Sequence, residues 1–483
     1  MRPSSTGRRV VVVGAGAAGV LVAAHLLRDA GNRHGPRVTL VDPGPRPGPG
    51  IAYATREPRH LLNVPAGRMG AFAEEPGGFT AFLAARGLPC DPGAFVPRAL
   101  YGDYLEDVLR AAARATADRA RLSHLRASAV RVGRAGAGFT VALADGRRIG
   151  ADALVLATGA GAPRVGWAPA GLRGSPAFVA DPWAPGALGA VPPSADVLVV
   201  GTGLTMADTA LHLARRGRVV HAVSRHGLLP HAHAAVPAAA VPPPPVAEPV
   251  ELAALRRAVL RHAARCRRER GDWRAGLDGW RSVTARLWQC LSTEDQATFL
   301  SGDRALWDVH RHRLPPACAD ALDAACAAGT VAVRRGEVTG VRPDGAGLAV
   351  RLSDGRTLTV GAVVNCAGAE PAAARSPDPL LRSALADGLV RPGPHGIGLA
   401  TDGTGRLLPA VAGSGPQPAW TLGAPRRGSL LESTAIPEIR AQAAAVAAAV
   451  TAAVTVLPAA SRAVPPPAAA LPRPLPRPAA TPT

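Results

Sequence analysis

The chain has 483 residues, 47% of them hydrophobic, enough for two or three domains with sizeable cores. Its formal net charge of +20 first points toward nucleic acid, but all 55 basic residues are arginine, they are spread along the chain, and aromatics make up only 4%. Without clustered charge or stacking platforms, no nucleic-acid partner is expected. The absence of lysine excludes Schiff-base and lysine-nucleophile chemistry, which arginine cannot replace because it stays protonated.

Arg8 and Arg9 followed by an apolar run to Leu27 resemble a signal peptide, yet the glycine spacing inside the run reads better as strand plus helix. Residues 9–42 read strand, helix, strand, and a Gly/Pro-rich loop follows at 43–50. Residues 51–83 mix loop and helix, Tyr101 to Ala120 reads as a helix, and 126–150 carry short strands with a turn at Asp145-Gly146. Asp152 to Thr158 is a buried strand. Asp196 opens a second strand–glycine–helix–strand block that ends near Arg225. Residues 235–248 form a Pro/Ala linker, and 250–330 look mostly helical. Residues 331–368 repeat the strand–turn–strand pattern and end in VVNCAG. The run from Ala443 to Leu457 is alanine-rich and short for a bilayer span, so it reads as a packed helix. The tail 457–483 is proline-rich, without acids, and is expected to be disordered.

The expected fold class is α/β, with two interleaved Rossmann-like dinucleotide-binding domains. Residues 1–165 are read as the first part of one such domain. A second is read as inserted at 166–330, including the linker and a helical insert at 250–330. Residues 331–456 are read as the second part of the first domain.

The first motif, VVVVGAGAAGV, supplies Gly14, Gly16 and Gly19, with Ala15 and Ala17 in the same turn. Glycine at these positions permits the tight turn, the approach of a pyrophosphate and close helix–strand packing, and the helix N-terminus faces the phosphates. Asp42, at the end of VTLVD, is the acid expected on the ribose hydroxyls. The second motif, DVLVVGTGLTMADTA, supplies Gly201 and Gly203, with Met206 in the place of the third glycine. Where the first unit ends in Asp42, this one ends in Ser224 and Arg225. A serine and an arginine suit a 2′-phosphate, so the second unit should prefer NADPH and the first is left for FAD. Two dinucleotide units imply electron flow from NADPH through FAD to an acceptor. None of the six cysteines forms a CxxC pair or a zinc spacing, which removes a disulfide reductase and points to reduced thiols in the cytoplasm. The acceptor remains oxygen, a quinone or another small molecule.

The segments GPGIAYATREPRHLLNVPAGRMGAF (48–72), FVPRALYGDYL (95–105), VGTGLTMADTA (200–210), WDVHRHRLPP (307–316), VVNCAG (363–368) and GSLLESTAIPEIRAQA (428–443) resemble the FAD/NAD(P)-binding proteins that include flavin-dependent L-aspartate N-monooxygenases. The resemblance spans most of residues 9–450 and implies a fold like that of ornithine and lysine N-hydroxylases. It implies FAD and NADPH as cofactors, molecular oxygen and an amine or amino acid as substrates, and oxygen transfer from a C4a-hydroperoxyflavin. It also implies that Asn63, Val64, Pro65, Ser433, Thr434 and Ile436 lie against the flavin, that Thr158 and Gly159 close the FAD site, and that Arg98 belongs to the segment leading into the next helix. Leu431 stands where that family often has tryptophan. The substrate itself is not carried over. The competing readings are an FAD-dependent NADPH reductase or oxidase with a diffusible acceptor, and a flavin redox sensor without catalysis.

His310, Arg311, His312 and Arg313 form an alternating basic run, and His310, Arg311 and Arg313 are candidates for an acidic substrate or for NADPH phosphates. As a metal site the run is poor, since two histidines at i and i+2 share a face only on a strand. His231 and His233 read as exposed loop residues, Cys366 as packing, and Trp273, Trp280 and Trp288 as one helical face.

Overall fold

The computed structural model describes residues 7–28, 35–116, 121–214, 218–236, 238–345, 347–411 and 415–456. The proline-rich tail lies outside these residues.

The chain opens with β1 (Arg9–Val13), α1 (Ala17–Arg28) and β2 (Arg37–Val41), then α2 (Gly78–Ala84), α3 (Arg98–Ala115) and β3 (Leu122–Leu125). β4 (Ala129–Ala135), β5 (Gly138–Leu143) and β6 (Arg148–Ala151) form a separate antiparallel sheet, and β7 (Ala153–Leu156) follows. After α4 (Ala170–Arg173) and β8 (Phe178–Val179) come β9 (Val197–Val200), α5 (Leu204–Ala214) and β10 (Val220–Ser224). The helical insert holds α6 (Leu252–Arg270), α7 (Arg274–Gly279), α8 (Thr284–Cys290), α9 (Thr293–Thr298) and α10 (Arg304–Arg311), and α11 (Pro316–Ala327) leads out of it. β11 (Val331–Arg335) precedes a second antiparallel sheet of β12 (Val338–Asp344), β13 (Gly347–Leu352) and β14 (Thr357–Val360), then β15 (Ala362–Asn365). The chain ends with α12 (Pro379–Ala386), β16 (Ala419–Thr421), α13 (Arg427–Leu430) and α14 (Ile436–Val456).

Two five-stranded parallel sheets organise these elements, one in the order β16-β7-β1-β2-β3 and the other β11-β10-β9-β15-β8. The fold is therefore α/β with two Rossmann-like units. The four valines of β1, Val10 to Val13, are buried on both faces, as a central parallel strand requires. In α1, every residue from Gly19 to Leu27 is buried, because the sheet covers one side and α3 and α14 the other. The alanine-rich α14 fits that role. Ala443, Val446, Ala447 and Val450 follow a helical period and are fully buried, and small side chains allow close approach to α1. Among the described residues no helix is long and apolar enough to cross a membrane.

The expected boundary at residue 331 is corrected. β11 pairs in parallel with β10, Ser224 opposite Arg335, and β15 pairs with β9, Asn365 opposite Val200. Residues 331–365 thus complete the second sheet. The repeated strand–turn–strand pattern has a simple origin: each unit inserts an antiparallel three-stranded sheet directly before one of its parallel strands, before β7 in the first unit and before β15 in the second. What returns late to the first sheet is β16, beside β7, together with α14. The Pro/Ala segment expected as a linker is also packed. The Val241 carbonyl accepts from His262 Nε2 at 3.1 Å, and a side chain at Gly279 would meet that carbonyl at 1.7 Å.

Candidate functional site

The first glycine turn leaves β1 where β7 ends. Gly14 has φ +101°, and a Cβ there would lie 2.2 Å from the Ala157 carbonyl oxygen. A Cβ at Gly19 would lie 2.0 Å from the Gly14 carbonyl, so this glycine sets how closely α1 packs on the sheet. Asp42 sits directly after β2 and is tied to the same turn. One carboxylate oxygen accepts the Ala15 N–H at 2.8 Å and the other the Gly44 N–H at 2.7 Å. Thr158 and Gly159 follow the carboxyl end of β7, beside Gly14. The Gly/Pro-rich loop at 43–50 folds against this turn: Gly48 N–H donates to Ala15 O at 2.8 Å, and Gly50 lies against Gly16. Gly14, Ala15, Gly16, Ala17, Gly19, Asp42, Thr158 and Gly159 are thereby gathered at the carboxyl edge of one sheet, the position from which such sheets hold a dinucleotide.

The second turn repeats the first. Gly201 has φ +113°, and a Cβ there would meet the Cys366 carbonyl at 2.2 Å. Gly203 faces open space, with nothing within 4 Å of an added Cβ, which leaves room for a phosphate to approach its backbone. Met206 is fully buried beneath α5 among Val197, Val199 and Val364. The Ser224 hydroxyl is held 2.8 Å from Thr202 Oγ1 and accepts the Gly227 N–H at 3.1 Å, while Arg225 is exposed beside it. Thr202 gives its own proton to the Leu228 carbonyl at 2.6 Å, so Ser224 donates to Thr202 and shapes the loop. The expectation that its hydroxyl is free to donate to a 2′-phosphate is corrected, and Arg225 is left as the phosphate-reading candidate.

Between the two units lies a cavity of about 960 Å³. Asn63, Val64, Pro65, Arg98, Ser433, Thr434 and Ile436 all line it, and so do Leu204 and Thr205 from the start of α5. The Ser433 hydroxyl is buried there without a hydrogen-bond partner, an orphaned polar atom suited to a ligand with polar edges. Segments as far apart in sequence as Asn63 and Ser433 thus converge on one concave space, with Leu204 and Thr205, directly after the second glycine turn, on its wall. The residues present fit an isoalloxazine-sized group against 63–65 and 433–436, and a nicotinamide approaching past α5.

Eight arginines and six carboxylates line the cavity, a formal excess of positive charge. Most are paired. Arg98 is bonded to Asp208 across the two units. Arg281 grips Glu438 through two bonds of 2.5 and 2.6 Å. Arg313 is bonded to Asp278, Arg311 Nε reaches Glu432 at 3.1 Å, and Arg304 Nε reaches Asp308 at 2.8 Å. Among the described residues no acid pairs with Arg427, and burial, with Arg304 adding repulsion, holds its guanidinium below the usual arginine range. Burial pushes the Asp208 carboxyl up against the pull of Arg98. Desolvation and the Arg311 charge push His312 down to about 4.

Three expectations are corrected here. His310 does not reach the cavity: it packs 4.3 Å from the His231 ring and 5.1 Å from Trp273, because on α10 it faces away from Arg311. His233 is no exposed loop residue. Its Nε2 lies 3.0 Å from the Asn63 carbonyl, its ring stands 4.8 Å from Phe95, and desolvation with the Arg313 charge pushes it down to about 4. Trp273, Trp280 and Trp288 do not share one helix but sit on successive short helical segments around a separate apolar chamber. Cys366 is buried packing, its Sγ 3.5 Å from Thr209 Oγ1. The sequence reading missed Asp208, Asp278, Arg281, Arg427, Glu432 and Glu438; Asp208, Glu432 and Glu438 lie inside quoted motifs and Arg427 directly before one, while Asp278 and Arg281 carried no motif signal.

Residues 11–161 match a family described as FAD-NAD(P)-binding. No protein of curated function matches the chain in sequence. Among solved structures, L-lysine 6-monooxygenase from Pseudomonas syringae is similar at TM-score 0.62 and 17% identity, over 92% of this chain and 99% of that one. Ornithine hydroxylase from Pseudomonas aeruginosa is similar at TM-score 0.60 and 15% identity, over 92% and 99%. Thioredoxin reductase from Lactococcus lactis is similar at TM-score 0.52 and 12% identity, over 93% and 100%. The chain thus carries an FAD-NAD(P)-binding domain, within a fold shared over nearly its whole length with the lysine and ornithine monooxygenases.

Proposed function

We propose that this chain is an FAD- and NADPH-dependent monooxygenase that oxygenates the nitrogen of an amino acid or related amine. The observation that carries the reading is the cavity between the two units. It brings the segments 61–69 and 431–438 of the first unit to face the start of α5 in the second, so a hydride donor and an acceptor could meet inside one concave space. In this reading Gly14, Gly16, Gly19 and Asp42 hold the ADP part of FAD, and Gly201, Gly203 and Arg225 hold NADPH, with Ser224 fixing the loop that carries Arg225. Bound FAD, once reduced, supplies the activation of oxygen. The chain's own residues bind, orient and exclude water.

The charge of the wall supports an amine substrate in its reactive form. An ammonium ion has no lone pair to offer, and an excess of guanidinium groups disfavours a further positive charge. Arg311 and Arg313, the candidates from the basic run, are committed to Glu432 and Asp278. Arg427, buried deeper in the wall than the exposed and, among the described residues, likewise unpaired Arg68, is the candidate to receive an anionic group of the substrate. Neutral His233, bonded to the Asn63 carbonyl, positions that segment rather than moving protons, since a group titrating near 4 is a weak base at neutral pH. Cysteines without disulfide bonds support a cytoplasmic setting.

The test starts with the purified chain. It should carry FAD, and under anaerobic conditions NADPH should bleach its flavin absorbance faster than NADH does. A protein that binds no flavin, or whose bound flavin neither nucleotide reduces, ends this reading.

A further inference from the structure

A second chamber, of about 560 Å³, lies within the helical insert. Its wall is made of Trp273, Trp280, Trp288 and Trp307, with Leu255 and Phe299. Few polar groups face it: the Thr284 hydroxyl is spent on the Trp280 carbonyl at 2.9 Å, and Asp303 is paired with Arg256 at 2.5 Å. At its margin Leu260 is 67% and Leu306 52% exposed. Apolar surface of this extent is unfavourable in water, and a concave, indole-walled space of this volume has the size and chemistry of a small-molecule site.

One residue belongs to both spaces. Leu431 lines the redox cavity and the apolar chamber, and its backbone adopts φ +59°, ψ −58°, a conformation leucine rarely takes. The chamber's indoles hold the segment that carries it. Trp288 Nε1 donates to the Gly428 carbonyl at 2.8 Å, and Trp307 Nε1 donates to Glu432 at 3.1 Å. Such a backbone conformation persists where the surroundings over-determine it. A molecule packed against these indoles therefore bears on the same segment that presents Arg427, Ser433 and Thr434 to the cavity.

We propose that the chamber is a second ligand site, for a small neutral or anionic molecule with an aromatic or branched-aliphatic body, and that its occupancy is felt in the redox cavity through Leu431. The volume and the indole walls select the body. Arg256 and Arg267, against the one acid Asp303, turn away a cationic head. The site itself does not depend on the monooxygenase reading. Its coupling to the cavity rests on that reading's placement of FAD.

The test is a titration of the flavin-loaded full chain with 1-anilinonaphthalene-8-sulfonate. Saturable binding of one probe per chain, with quenching of tryptophan emission, is expected. Leu255→Trp, which fills the chamber, should weaken binding by about tenfold or more while leaving the flavin absorbance spectrum unchanged. Probe binding should also shift the flavin fluorescence of the wild-type chain, and Leu431→Gly should keep the affinity within about threefold while losing that shift. Non-saturable binding, or binding that Leu255→Trp leaves untouched, overturns the site. A chain that is dimeric until Leu306→Asp makes it monomeric also overturns it, because the chamber is then a subunit interface. Normal binding with no flavin response overturns the coupling alone. A chain without bound flavin, whose tryptophan quenching still saturates, separates failure of the FAD assignment from failure of the site.

Discussion

The glycines of the two turns make different demands at the residue scale. At Gly14 a methyl group would collide with the Ala157 backbone, whereas at Gly203 it would meet nothing. Gly14→Ala should therefore lose FAD and most soluble protein. Gly203→Ala should keep its melting temperature and raise the NADPH KM, because the added methyl occupies the space left for phosphate. Expression, flavin content and initial rates check the pair, and equal losses in both would contradict the assignment. Arg225 is exposed at the end of β10. Arg225→Ala should raise the NADPH KM by about tenfold, the scale of one charge-assisted hydrogen bond, and leave that for NADH nearly unchanged. Equal effects on both nucleotides would refute a phosphate-reading role. The turns were legible because their geometry depends on residues within one βαβ unit. The cavity's ion pairs were not. Arg98 and Asp208 are 110 positions apart, Arg311 and Glu432 121, Arg281 and Glu438 157, and spacing of that kind carries no local signal.

The alanine-rich helix α14 shows at the element scale what composition alone can and cannot tell. Its small buried face announces a packed helix, but not that α1 is the partner. Ala447 is fully buried in that contact, so Ala447→Leu should cost about 1–3 kcal/mol in chemical denaturation through overpacking, and an unchanged midpoint would contradict the packing. The strand–turn–strand segment after residue 331 taught the opposite lesson. Its strands were legible and their sheet was not, because both units use the same local pattern and pairing is decided by neighbours distant in sequence. The same holds for Trp273, Trp280 and Trp288, whose spacing imitates one helix while the chain breaks into several.

At the scale of the whole molecule, the two units and the insert meet around groups that resist protonation. Burial, with Arg98 and Arg313 respectively as the main repelling charges, pushes His60 and His233 down to about 4, and His312 is held at about 4 as well. An unfolded histidine titrates near 6.5, so between those values the unfolded chain binds more protons than the native one. Stability should thus be full above pH 6.5 and fall as the pH drops toward 4. His233→Gln should flatten that slope, and thermal scans across the interval check it. A melting temperature that is flat or rising toward pH 4 would contradict these placements.

On the proposed function, the shared cavity delivers electrons from NADPH to oxygen and one oxygen atom to an amine. The direct measurement is the fate of ¹⁸O₂ in single-turnover reactions of the NADPH-reduced, FAD-loaded chain with a panel of amino acids and related amines. At least one amine should gain one ¹⁸O atom on nitrogen, with a matching fall in hydrogen peroxide. Stoichiometric hydrogen peroxide and no labelled product with every amine would contradict it.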